Sequence, residues 1–217
     1  QSLHRLFDQN RLGYLQKQAL EKLGALQTPE GGWSWFKGMN SSRFMTLNVL
    51  AIMAKANTVG AQEYGQEEKS MQIKALRYLD KSIVQDFKHT PKRIGYDQIL
   101  YLYVRSLYRD IPLGDALTAH KYFMSLTQKQ WSRFSLYEKA ITVITFKNYG
   151  FSAESHNILK SLRQYAVTDA TVGMYWPNNR NEFYSNSAVQ VHTALLEAFY
   201  ETEGNSPDID RMKQWPV

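Results

Sequence analysis

Apolar residues recur along this chain at three- and four-residue intervals, in runs that glycine, proline and serine signals interrupt. That spacing places them on one stripe of a helix, and its repetition demands amphipathic helices packed on one another. Leu12, Leu15, Ala19, Leu20, Leu23 and Leu26 form the first stripe, before Pro29, Gly31 and Gly32 stop it and a long turn runs to about Asn40. Ser41 or Ser42 can cap a second helix, with Phe44, Leu47, Leu50, Ala51, Met53 and Ala54 on its face and Gly60 at its end. Further helices are predicted from about Glu67 to Phe87, Tyr96 to Tyr108, Asp115 to Thr127, Ser132 to Tyr149, Ser152 to Ala166 and Ala188 to Thr202. The one starting at Tyr96 is apolar on most sides, so burial on two faces is expected. Period-two alternation is lacking outside two aromatic turns, so strands should be few and short. Helix pairs recur about every 45 to 50 residues, as in stacked helical hairpins. The expected fold is all-α.

The 217 residues can bury one sizeable core, so 1–217 reads as one domain. No apolar run approaches a bilayer-spanning length; the richest, Met45 to Ala54, is broken by Thr46 and Asn48. There is no cysteine, which excludes disulfides, thiolate metal sites, thiol nucleophiles and an internal thioester from these residues. The net charge is +6, yet Lys and Arg are interleaved with Glu, Asp and Gln, as in Glu67, Glu68, Lys69 and Lys74. This is a solvated helix face and not a phosphate track, so nucleic acid is not an expected partner.

Two irregular turns stand out: Gly32-Trp33-Ser34-Trp35-Phe36, and Gly173-Met174-Tyr175-Trp176-Pro177-Asn178. Each sets glycine before aromatics, after one helix and before another. Glycine permits the sharp turn, and the tryptophans are large enough to staple helix ends at one rim of the array. The alternative is a concave ligand surface, lined by Trp33, Trp35, Tyr175, Trp176, Asn178, Arg180 and Tyr184, with His192 on the helix below the second turn.

Gln27, Gly31 and Trp33 stand in the spacing Gln-x-x-x-Gly-x-Trp. This resembles the repeat of the α/α-toroid superfamily, which includes terpene cyclases, prenyltransferases and the thioester domains of complement and macroglobulin proteins. The longer string Glu30 to Leu50 is similar to the large macroglobulin-like proteins of Bacteroidetes-type bacteria, as are Ala75 to Asp80, Leu100 to Ser106 and Gly173 to Trp176. The resemblance implies helical hairpins in a toroid, inner helices at the axis and outer ones around them. It implies a role within a broad protease trap on the periplasmic or cell-envelope side. The expected partners are other domains of the parent protein and, through it, target proteases, with no membrane contact by this segment. The reactive site does not carry over: the Cys and Gln of thioester-bearing relatives would lie before Gln1 or be missing from this branch, and Thr90, Pro91 and Lys92 around His89 do not reproduce the context of the assisting histidine. Another helix begins near Asp208 just before the end, so a fragment of a larger protein is expected.

Catalytic patterns are sparse. His4, His89, His120, His156 and His192 fall on separate elements without metal-ligand spacing, and an acidic protonation cluster or zinc site is missing, so no cofactor and no enzyme activity are expected. A carbohydrate-active toroid, binding module or hydrolase, is the competing class, because two carboxylates can meet only in space; Glu30, Asp97 and Glu182 lie near loops.

Overall fold

The breaks between apolar runs become helix ends. The computed structural model describes residues 9–59, 64–177 and 187–215. Helix dominates them: α1 (Gln9–Leu26), α2 (Arg43–Val59), α3 (Gln66–Lys88), α4 (Tyr96–Leu107), α5 (Leu117–Gln130), α6 (Leu136–Asn148), α7 (Ser152–Tyr165), α8 (Ala188–Glu203) and α9 (Pro207–Met212). Strands are as short as expected: β1 (Val167–Asp169) pairs antiparallel with β2 (Gly173–Tyr175), Val167 opposite Tyr175 and Asp169 opposite Gly173. Among the described residues no helix is long and apolar enough to cross a membrane. The chain divides into two compact units, Gln1–Gln85 and Asp86–Val217.

In the first unit, Leu47, Leu50 and Met53 of α2 and Met71, Ala75, Leu76, Leu79 and Ile83 of α3 form the buried stripes. The stripe on α1 is only half used. Leu20 and Leu23 are half-buried, whereas Leu15, Ala19 and Leu26 are exposed; Leu12 lies outside the described side chains. The stripe spans more of the helix circumference than its contacts cover. Phe44 likewise departs from the expected buried face of α2 and is exposed.

The second unit is organised around α6. Every residue from Ala140 to Phe146 is buried, so no face of that segment meets solvent. It packs against α4 and α8, and against α7. α4 matches it, with Ile99 to Ser106 all buried, as the apolar character of that segment predicts. The linking helices bury one stripe each: Ala119, His120, Phe123, Met124 and Thr127 on α5, and Ser155, Ile158, Leu159 and Leu162 on α7. Helices buried all round thus alternate along the chain with helices buried on one side. The start of α6 differs from the expected Ser132. Ser135 Oγ accepts from the Glu138 amide at 3.2 Å and Glu138 Oε2 accepts from the Ser135 amide at 2.8 Å. This reciprocal capping box fixes the first turn at Leu136, and Trp131–Arg133 forms a separate 3-10 turn.

Phe146 is fully buried and meets Phe151 edge-on, ring centroids 5.8 Å apart. Phe146→Ala should destabilise the second unit by about 3 to 5 kcal/mol, measured as a lowered midpoint in urea.

Candidate functional site

The last four carbonyls of a helix have no partner within it. The turn after α1 supplies one from a distance: Trp33 is 2% exposed and its indole Nε1 donates to the Leu23 carbonyl at 2.9 Å. The Trp33 amide donates to Thr46 Oγ1 at 2.9 Å, and its carbonyl accepts from the Ser42 amide at 2.8 Å. Thr46 passes the bond on, its hydroxyl donating to the Ser42 carbonyl at 2.8 Å. Ser42, one of the two serines expected to cap α2, accepts from the Met45 amide at 3.3 Å. Gln27 uses its amide nitrogen twice, toward the Gly31 carbonyl at 2.8 Å and the Met71 carbonyl of α3 at 2.9 Å. Gly31 sits at φ +97°, and a Cβ there would lie 2.5 Å from the Lys74 carbonyl oxygen. Gln27, Gly31 and Trp33 therefore join α1, α2 and α3 at one point.

The turn after α7 repeats the device with different residues. Trp176 is 9% exposed, and its Nε1 donates to the Leu162 carbonyl at 2.9 Å. Leu162 stands three residues before the end of its helix, as Leu23 does in α1. Gly173 has φ +79°, and a Cβ there would overlap the Arg211 carbonyl oxygen in α9 at 2.0 Å. Asp169 shapes the hairpin, Oδ1 accepting from the Thr171 and Val172 amides at 2.7 and 3.1 Å; these bonds hold its carboxyl below the usual range.

Tyr175, Trp176 and His192 come together beside this second turn. With Leu136, Val191 and Trp215 they line a cavity of about 310 Å³. The His192 ring stacks on Trp215 at 4.5 Å, and its Nε2 faces the Met212 carbonyl at 2.8 Å. A carbonyl only accepts, so Nε2 carries a proton; burial lowers the His192 pKa, and the Met212 carbonyl offsets this in part. Trp35 belongs to the first turn and is exposed. A cleft of about 460 Å³ beside that turn is lined by Gln27, Thr28, Glu30, Lys37 and Asn40 among others. Asn178, Arg180, Tyr184 and Glu182 lie outside the described residues. Asp97 occupies the first turn of α4.

Two further polar groups emerge only in three dimensions. Arg163 on α7 donates to Glu203 and to Asp208 (Nε to Oδ2, 2.7 Å), and its guanidinium lies 5.0 Å from the Phe199 ring centre. Both carboxylates raise its pKa. His120 is buried on α5, with Nε2 3.0 Å from the Tyr149 hydroxyl and Tyr101 at its edge. Burial, with Arg105 nearby, pushes its pKa down to about 4. The stripe His120, Phe123, Met124, Thr127 carries the signal for this burial. Among the described residues no group of His, Asp or Glu is placed to hold a metal ion. No family model matches the chain, and no curated protein matches it either.

Gly31 and Gly38 both have positive φ, +97° and +88°, but only Gly31 faces a close backbone atom. Alanine at either position carries a dihedral cost of about 1 to 3 kcal/mol. Gly31→Ala adds overlap with Lys74, so it should destabilise by at least about 1 kcal/mol more than Gly38→Ala in parallel thermal melts. For His120, the neutral form is favoured on folding. Its contribution is full above the ordinary pKa of 6.5 and is lost as pH falls through about 4. His120→Gln, which does not titrate, should show a smaller loss of stability between pH 6.5 and 4 than wild type, by roughly 3 kcal/mol in urea titrations.

Proposed function

We propose that this chain is an α/α-toroid segment, a single domain of a larger bacterial macroglobulin-like protease inhibitor, serving as a structural and interaction part and not as an enzyme. The observation that carries the proposal is the bonding of the Gln-x-x-x-Gly-x-Trp spacing: Gln27 reaches α3, Gly31 lets the backbone approach Lys74, and Trp33 closes the end of α1. A spacing whose members all serve helix junctions suits a repeating hairpin fold, and it is the spacing through which the chain resembles the toroid superfamily. The alternation of α4 and α6, each with a run of residues buried all round, with one-sided α5 and α7 supports inner and outer layers within the second unit. In this role the segment contacts other domains of its parent on the periplasmic or cell-envelope side, meets proteases only through the parent, and touches neither nucleic acid nor membrane. It has no cysteine, so any thioester chemistry of the parent takes place outside these residues.

The aromatic cavity beside Trp176 and His192 favours a second function, a carbohydrate-active module. Two carboxylates do come close in that unit, Glu203 and Asp208, but both are engaged by the Arg163 guanidinium. A hydrolytic pair needs an open gap of roughly 5 to 9.5 Å for sugar and water. The inhibitor role is therefore preferred.

The test is to incubate the parent polypeptide with proteases of different specificity. After cleavage, each protease is expected to keep its activity on small chromogenic peptides and to lose it on large protein substrates. Unchanged digestion of the large substrates, or release of reducing ends from a glycan by this chain, would overturn the proposal.

A further inference from the structure

We draw no further inference here: the strongest candidate, the exposed apolar face of α2 that Phe44 and Ile52 form beside the Trp35 ring, carries nothing because nothing in the structure shows what covers it.

Discussion

Every helix in an array such as this ends with carbonyls that have lost their amide partners, and an end packed away from water needs a donor. Here the donor is a tryptophan indole, from Trp33 to Leu23 and from Trp176 to Leu162. Much of the local geometry follows from that bond. For the indole to reach back over the helix it follows, the chain must reverse within a few residues, so the segment after the helix pairs with the returning one. The pairs are Gln27 with Trp33 in one turn, and Val167 with Tyr175 in the other. The reversal brings backbone against the helix that comes later, and at Gly31 and Gly173 a side chain would collide with it.

The two units use the same bond in different surroundings. Around Trp33 polar contacts from the turn add to the apolar stripes of α2 and α3: Gln27 to Met71, the Trp33 amide to Thr46, and the Tyr78 hydroxyl to the Ser41 carbonyl. α1 contributes little fully buried apolar surface, so these bonds fix its position. Around α6 the reverse holds. Seven consecutive buried residues fill the space between neighbours, and the polar ones among them find local acceptors, as Thr145 does in the Ile141 carbonyl at 2.7 Å. A hydrogen-bonded junction tolerates exposure of the remaining helix surface; a helix enclosed all round does not.

Periodicity made the helices legible, because it is a local property and survives packing. It located α4 and, from the apolar run between Ile99 and Leu107, predicted burial on two faces, where the structure buries Ile99 to Ser106 all round. It misjudged the start of α6, where Ser132 and Ser135 are both plausible caps and only Ser135 has a glutamate three residues on. It also overstated the buried stripe of α1, since an apolar pattern shows which surface can be covered and not whether a neighbour covers it. The similarity of the two turns was visible in composition, although glycine and tryptophan are two residues apart in one and three in the other. What they share, a donor aimed at a carbonyl three residues before a helix end, depends on coordinates. Arg163 with Glu203 and Asp208 was beyond reach for the same reason: the partners are 40 and 45 residues away.

Trp33 and Trp35 show how little sequence separates the two uses of an aromatic residue. In an extended strand, residues two apart share a face, so continued pairing beyond Trp33 would send both indoles to the same side. The chain instead leaves the extended path directly after Trp33. A bend at Trp35 and Phe36, closed by Ser34 Oγ on the Phe36 carbonyl, separates the rings. One goes inward to the end of α1 and the other outward onto Phe44. The exposure of Trp35 is therefore imposed by hydrogen bonds and is not a failure of the core to accommodate it. A second indole inside would find the Leu23 carbonyl already taken, and its own N–H would need another acceptor. Turning it outward avoids that cost and leaves a rigid aromatic surface standing on the same bonds that hold α1 and α2 together.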